Sequence, residues 1–194
     1  MNFTEDDESV NELNKHGLKS KKLPPPIYKI FSIREFPQEK KIAVYLPDDT
    51  LDDFNFYQGN LIKKLVNDFP NIEFIITRNS GKFFSETNVT CIPFAENMEE
   101  IYEQVFAVIR LPIKDATGVT IIETLSMGRI MIASSTDFPY CENITSYEDI
   151  KNCVTKIIDT PTIQKEASEF IHKNYDNKKI ATKLITIYND ISNE

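Results

Sequence analysis

The sequence predicts an α/β domain, in which a doubly wound parallel sheet carries helices on both faces and is followed by a helical tail. Two observations lead to this prediction. From residue 41 onward, short apolar runs alternate with amphipathic segments of helical period, and the links between them are short. Such alternation is typical of parallel sheets built from strand–helix–strand units. The chain has 194 residues, 41% of them hydrophobic, which suffices for one core but not for two ordinary domains.

Each short apolar run is interpreted as a buried strand, and each segment with an apolar stripe as a helix. The predicted strands are Lys41–Leu46, Ile72–Thr77, Val89–Pro93, Val105–Leu111 and Ile130–Ala133, with a short strand or loop around Glu142–Thr145. The predicted helices are Tyr57–Asp68, Asn97–Glu103, Val119–Gly128, Ser146–Asp159, Thr162–Lys173 and Asn177–Ser192.

Residues 1–40 precede the first buried strand and are predicted to form a tail and a Pro-rich linker. An acidic cluster, Glu5–Glu8, is followed by a lysine-rich stretch, and a short helix is expected around Ser9–Lys15. Pro24–Pro26 favours an extended polyproline II path. Two interpretations stay open for the tail, a solvated segment or one that packs on a missing partner. The folded domain is expected to span residues 41–194.

Charge and cysteine content narrow the functional classes. The formal net charge of −8 and the pI near 4.9 argue against a nucleic-acid binder, which needs a basic face. Cys91, Cys141 and Cys153 show no metal-type spacing, and we expect reduced thiols. The first residues lack the features of a signal peptide, and no apolar run approaches the roughly 18 residues that a membrane span needs. A cytoplasmic chain is therefore expected.

The candidate ligand site lies at the turn between the predicted strand Val105–Leu111 and the helix that begins near Val119. Asp115 falls in this turn, and Gly118 allows a ligand to approach the backbone closely. The first amides of the helix lack intrahelical partners and carry the positive end of the helix dipole, so they suit a phosphate. Glu123 follows eight positions after Asp115. Because carboxylates accept hydrogen bonds, these two side chains suit the hydroxyls of sugar rings on either side of that phosphate.

This pattern, Arg110-x4-Asp115-x2-Gly118-x4-Glu123-x4-Gly128-Arg129, resembles the E-x7-E signature of retaining glycosyltransferases with two Rossmann-like halves, the GT-B group of the family-4 or group-1 type. The closing segment, ASEFIHKNYDNKKIATKLITIYNDI, is similar to the last helices of those enzymes. The resemblance runs from Lys41 to the end of the chain. It implies a single GT-B half-domain that binds a nucleoside-diphosphate sugar.

The resemblance also implies roles for individual residues. Asp115 is expected to contact hydroxyls of the donor sugar, and Glu123 to hold the ribose of the nucleotide. Further candidates for phosphate binding are the helix-start residues and two neighbours: Gly118, Val119, Thr120, Thr117 and Arg110. The two threonines can cap the helix, donate to phosphate, or do both. No metal or other cofactor is expected, and the acceptor-binding half is expected in a longer chain or in a partner subunit.

The sequence departs from the family in the loop after the first strand. Active members commonly carry a basic pair there, Arg and then Lys-Gly, whereas this chain has four aspartates between residues 48 and 53 and Gln58 before Gly59. A carboxylate about 5 Å from a diphosphate costs on the order of a kcal/mol or more, even at an effective dielectric near 20. The aspartates are interpreted as a solvated loop. A calcium site is not expected because the spacing of a calcium loop is missing. A phospho-acceptor site is not expected because receiver domains place the accepting Asp at the end of a later strand, which here ends at Thr77 without a carboxylate.

Three functions therefore remain open. The first is a donor-binding half of a glycosyltransferase, which we expect to be inactive as an isolated chain. The second is a transferase-like subunit that has lost donor chemistry and serves as a binding or scaffold subunit of a glycosylation complex. The third is another phosphate-binding Rossmann-like protein, unrelated to sugar transfer. The sequence indicates neither the sugar, nor the base, nor the acceptor.

Overall fold

The chain begins with a small strand–helix–strand unit. A computed structural model describes residues 2–5, 7–23, 25, 27, 29–114, 118–136 and 138–192. Strands β1 (Asn2–Thr4) and β2 (Ser20–Lys22) pair in parallel, and helix α1 (Asp7–Lys15) connects them. The helix was expected, whereas the strands are too short for a sequence pattern. None of the described residues between 2 and 22 is buried.

The centre of the molecule is a parallel sheet of six strands. These strands are β3 (Lys41–Tyr45), β4 (Glu73–Thr77), β5 (Val89–Ile92), β6 (Ala107–Arg110), β7 (Ile130–Ala133) and β8 (Cys141–Asn143). Their spatial order is β5-β4-β3-β6-β7-β8, and every neighbouring pair is parallel. The chain thus winds first one way from β3 and then the other way from β6, which is the order of doubly wound Rossmann-type sheets.

Helices cover both faces of this sheet and form the C-terminal tail. They are α2 (Leu51–Phe56), α3 (Gly59–Asp68), α4 (Met98–Glu103), α5 (Val119–Ser126), α6 (Tyr147–Asp159), α7 (Lys165–Asn174) and α8 (Asn177–Ser192). Because side chains alternate along a strand, Ile42 and Val44 pack in one core with α3 and α6, whereas Ala43 packs in the other with α4, α5 and α7. The predicted α/β class and the helices on both faces are confirmed.

The main correction concerns the helix predicted over Tyr57–Asp68. The acidic segment before it is itself helical, because Thr50 and Asp53 form a capping box at the start of α2. Gln58 then adopts a left-handed conformation, φ 55°, which separates α2 from α3. Gly59 is required at the junction, since a Cβ there would lie 2.4 Å from the ring of Phe54.

Residues 27 and 29–36, which we term the strap, cross the molecule before β3. Ile27 and Phe31 are buried in the core that contains α5 and α7. The backbone of Ile27 is hydrogen-bonded to both amide atoms of the Asn177 side chain. The Phe31 N–H donates to Ser126 Oγ at 3.1 Å, and His172 Nε2 lies 3.0 Å from the Phe31 carbonyl. Polar side chains of three helices therefore fix the strap; the predicted boundary at residue 40 stays a prediction.

Arg129 completes the attachment of the strap. Its side chain is fully buried and donates to three carbonyls, those of Tyr102 at 2.9 Å, Arg34 at 2.8 Å and Glu35 at 3.0 Å. Gly128, just before it, has φ 75° and ends α5, as expected for a glycine C-cap. Among the helices that the structure describes, none has both the length and the apolar character needed to cross a bilayer.

Candidate functional site

The carboxyl ends of β3 and β6 lie side by side where the strand order reverses. In doubly wound sheets the loops that follow these two strands run to opposite faces and leave a crevice, which is the usual ligand position. The residues at this edge come from the ends of four strands and from the start of α5. The predicted site residues that the structure describes belong to this same edge: Arg110, Gly118, Val119, Thr120 and Glu123.

The start of α5 is open to the crevice. Gly118 is the N-cap residue, with φ −67° and ψ 135°, and it provides no side chain to cap the helix. The first amides of a helix have no intrahelical acceptor, so those at Gly118, Val119 and Thr120 are suited to an anion. A Cβ at Gly118 would lie 3.0 Å from Arg110 Nε. The glycine thus lets the guanidinium of Arg110 pack against the backbone at the helix start.

Two tyrosines hold Arg110 in this position. Its Cζ atom lies 4.8 Å from the ring centroid of Tyr45, at the end of β3, and 5.3 Å from that of Tyr57, after α2. Stacking on aromatic rings suits a guanidinium, which is planar and weakly hydrated. The site therefore has a fixed positive charge beside the N-terminus of α5.

Glu123 lies one turn further along α5 and is half-buried. Its Oε2 atom accepts a hydrogen bond of 3.0 Å from the hydroxyl of Tyr102, a buried residue of α4. Burial raises the pKa of Glu123, and the hydrogen bond from Tyr102 opposes this rise. Burial, together with the nearby Glu123 charge, also raises the pKa of Tyr102. Tyr102 is therefore a permanent donor that fixes the orientation of the carboxylate.

Glu123 faces a cavity of about 170 Å³ at the carboxyl edge of the sheet. Tyr45, Thr77 and Arg78 form its floor at the ends of β3 and β4, and Thr120 lines it beside Glu123. Phe94 and Ala95, which follow β5, and Met98, the first residue of α4, make one side apolar. The cavity thus combines an oriented carboxylate, a cation and a surface on which a flat ring can pack.

Several of these residues were not predicted from the sequence. Arg78, Phe94 and Tyr102 were passed over, although Arg78 and Phe94 directly follow predicted strands and so had to lie at the carboxyl edge. That position was the available signal. Asp115 and Thr117 lie outside the described residues, and Arg129 lies at the opposite end of α5.

The acidic loop after β3 is engaged in local contacts. Asp48 is buried and accepts from Ser80 N at 2.9 Å and from Ser80 Oγ at 2.7 Å. Asp49 pairs with Arg78 at 2.9 Å, and Asp53 caps α2. The expectation of a solvated loop is therefore wrong for Asp48, whereas Asp49 and Asp53 make their contacts at the surface. Within the described part of the chain, no group of three His, Cys, Asp or Glu side chains is arranged to hold a metal ion.

A larger cavity, of about 450 Å³, lies beside the ends of β6, β7 and β8. Its described lining contains amide, hydroxyl and aliphatic side chains, including Gln58, Ser134 and Ile144, but no charged ones. Gln58 Nε2 already donates to the Leu111 carbonyl at 3.1 Å, and Ser134 Oγ to that of Pro112 at 2.7 Å. We therefore regard the smaller, charged cavity as the candidate site.

Comparison with known proteins supports the fold. No protein-family model and no curated protein sequence matches the chain, whereas many solved structures do. Sucrose-phosphate synthase from Thermosynechococcus elongatus superposes with a TM-score of 0.78 at 13% identity, over 97% of this chain and 57% of its own. TarM from S. aureus, in a complex that includes UDP, superposes with a TM-score of 0.79 at 14% identity, over 96% of this chain and 43% of its own. HepE from Anabaena, in complex with UDP and glucose, superposes with a TM-score of 0.76 at 12% identity, over 97% of this chain and 62% of its own.

The chain has the fold of a GT-B glycosyltransferase half. It spans between 43% and 62% of the length of these three neighbours. Identities of 12% to 14% establish the fold and leave the activity to be argued from the site.

Proposed function

We propose that the chain binds a nucleoside-diphosphate sugar and acts as the donor-binding half of a retaining GT-B glycosyltransferase of the family-4 type. The observation that carries the proposal is the Glu123 carboxylate. Tyr102 orients it inside a cavity at the strand-order reversal, one turn from a helix start whose N-cap residue is a glycine. Two of the neighbours, TarM and HepE, hold UDP in their structures.

The nucleotide lies across the carboxyl edge of the sheet in this proposal. Its base packs on the apolar side of the cavity, near Phe94 and Met98. Glu123 accepts hydrogen bonds from the ribose hydroxyls, for which its position beside the base suits it. The diphosphate then reaches the amides at Gly118, Val119 and Thr120.

The chemistry assigned to the site is stabilisation of the leaving diphosphate. As the bond to the sugar breaks, negative charge grows on the diphosphate, and preorganised donors lower the energy of that state. The helix start and Arg110 are such donors, because stacking on two tyrosines holds the guanidinium in place before the reaction. With these positive groups we propose that donor binding needs no metal ion. Asp115 and Thr117 retain their proposed contacts to the donor sugar and to phosphate.

Transfer also needs a site for the acceptor. We propose that a second half, in a longer chain or in a partner subunit, supplies it, since this chain spans between 43% and 62% of the three neighbours' lengths. Three large apolar side chains at the carboxyl edge, Leu51, Phe94 and Ile113, are at least 60% exposed, and such a half would cover them. The isolated chain is accordingly expected to show no transferase turnover.

One observation favours a second function, that of a non-catalytic binding or scaffold subunit. Gln58 stands where the resemblance expects a lysine, and its amide is engaged with the Leu111 carbonyl. A chain that had lost donor chemistry could still use its exposed carboxyl edge to bind a partner. This alternative predicts no nucleotide binding.

Calorimetric titration separates the two functions. We expect binding of at least one diphosphate or its sugar among the uridine, guanosine and adenosine series, unchanged by a chelator. Glu123→Ala should weaken binding by about 1–3 kcal/mol, because the ribose hydroxyls lose their acceptor. Glu166→Ala, which removes an exposed carboxylate from α7, is the matched control. Absence of heat at millimolar ligand would favour the scaffold subunit.

A further inference from the structure

Arg78 combines an unusual backbone conformation with a place in the candidate cavity. Its φ is 61°, in the left-handed region that favours glycine. It directly follows β4 and lines the same cavity as Glu123 and Thr120. Strained non-glycine residues persist where the surroundings impose them, and they concentrate at binding sites.

Buried hydrogen bonds impose this conformation. The side chain of Asn79 is fully buried, donates to the Leu46 carbonyl at 2.8 Å and accepts from Gly81 N at 3.0 Å. Asp48 N donates to the Arg78 carbonyl at 3.3 Å, while the carboxylate of Asp48 binds Ser80. The acidic loop after β3 thereby fixes the turn that carries Arg78.

The guanidinium of Arg78 has a partner that a ligand can replace. It pairs with Asp49 at 2.9 Å, and the two side chains are 48% and 66% exposed. An ion pair this exposed contributes little to stability. A phosphate offers Arg stronger, charge-assisted bonds in a forked geometry. Asp49 therefore holds the guanidinium at the edge of the cavity without competing strongly for it.

We propose that Arg78 is a phosphate-binding residue of the nucleotide site and exchanges Asp49 for the diphosphate when ligand binds. This inference rests on the proposed function. It explains how a chain with a net charge of −8 and no basic pair after β3 can bind a diphosphate. The cation comes instead from the end of the neighbouring strand.

Titration of diphosphates and of their nucleosides tests the proposal. The probes are UDP with uridine, GDP with guanosine and ADP with adenosine. Arg78→Ala should weaken binding of the diphosphate about tenfold or more and change that of the nucleoside less than about twofold, because only the phosphate contact is lost. Arg78→Lys should bind the diphosphate with an affinity between those of the unaltered chain and Arg78→Ala, since lysine keeps the charge but loses the forked hydrogen-bond geometry of the guanidinium. Asp49→Ala should tighten diphosphate binding severalfold.

Two further variants keep the test decisive. Arg78→Gly removes the backbone strain, so it should raise the melting temperature and still lose diphosphate affinity. Arg34→Ala is the matched control, because Arg34 forms a similarly exposed ion pair, with Glu103 at 3.3 Å, near the far end of α5.

The outcomes separate this inference from the proposed function. Equal diphosphate affinity in Arg78→Ala and Arg34→Ala would overturn the role of Arg78 and leave the nucleotide site intact. Equal losses for diphosphate and nucleoside would also overturn it, since Arg78 would then contact the nucleoside. If the unaltered chain binds none of the six probes, the proposed function fails and the inference fails with it.

Discussion

The surroundings of Glu123 disfavour the charge of its carboxylate. Half-burial raises the pKa of the carboxyl, and one hydrogen bond from Tyr102 only partly offsets the rise. The ionised form is therefore less stable in the folded chain than in water. A ribose, whose hydroxyls can donate to the same carboxylate, would relieve this cost on binding. The stability of the folded chain and its affinity for the nucleotide are thus linked through the protonation of Glu123.

The first prediction concerns the pH dependence of stability. Since the folded chain holds the Glu123 proton more tightly than the unfolded chain, the free energy of unfolding should fall as pH rises from about the ordinary value of 4.5 through the raised pKa. Glu123→Gln keeps an acceptor for Tyr102 and carries no charge. It should be more stable than the unaltered chain at pH 7.5, with a smaller gap at pH 5. Denaturant unfolding at both pH values measures this gap, and a gap that widens toward pH 5 would contradict the prediction.

At the scale of elements, the strands with apolar sequences were predicted well. A break between two helices that depends on a distant side-chain contact was not. Strand β7 was predicted to the residue, and β3, β4, β5 and β6 within about two residues, because their sequences are largely apolar. For β8 the sequence is not apolar, and the choice between a short strand and a loop stayed open. The break between α2 and α3 was missed. It depends on a left-handed Gln58 whose amide binds the Leu111 carbonyl, 53 positions away. A pattern of neighbouring residues cannot predict a contact between positions this far apart in the sequence.

In the candidate site, too, residues on one local segment were predicted from the sequence, whereas contacts between separate elements were not. Gly118, Val119, Thr120 and Glu123 could be placed from the sequence because they lie on one turn and one helix. The partner of Glu123, Tyr102, comes from another helix, 21 positions earlier. Arg78 depends on a loop that follows a different strand. Contacts between separate elements require the fold, which the sequence pattern predicts only in outline.

The second prediction concerns the strap. Arg129→Met leaves two strap carbonyls and one carbonyl of α4 without their donor, so the free energy of unfolding should fall by about 3 kcal/mol or more. Arg34→Ala removes an exposed arginine from the strap itself and should change it by less than about 0.5 kcal/mol. Urea unfolding of both variants provides the measurement. Equal stabilities would show that the strap does not depend on Arg129.

On the scale of the whole molecule, the N-terminal unit and the strap differ in how they attach. The unit contains no buried residue among those described between 2 and 22, and Phe3 reaches the ring of Tyr188 at a centroid distance of 6.3 Å. The strap contributes Ile27 and Phe31 to the core. The strap therefore contributes more to the stability of the fold than the N-terminal unit does, although both precede the predicted domain boundary.

The third prediction follows from this difference. A chain that begins at residue 25 should keep its nucleotide affinity and unfold with a free energy within about 1 kcal/mol of the full chain. A chain that begins at residue 41 should lose several kcal/mol, since two large apolar side chains leave the core. Thermal and urea unfolding of both truncations test this. A stable chain from residue 41 would place the folding unit at the boundary predicted from sequence.

The bond between Ile27 and Asn177 joins positions 150 residues apart. During synthesis, the strap emerges well before its fixing partners on α7 and α8, which lie 141 and 150 positions further along the chain. Ile27 and Phe31 must therefore remain without their full set of contacts until α8 has left the ribosome. Nascent chains arrested before residue 177 should accordingly be more open to proteolysis near the strap than the released protein.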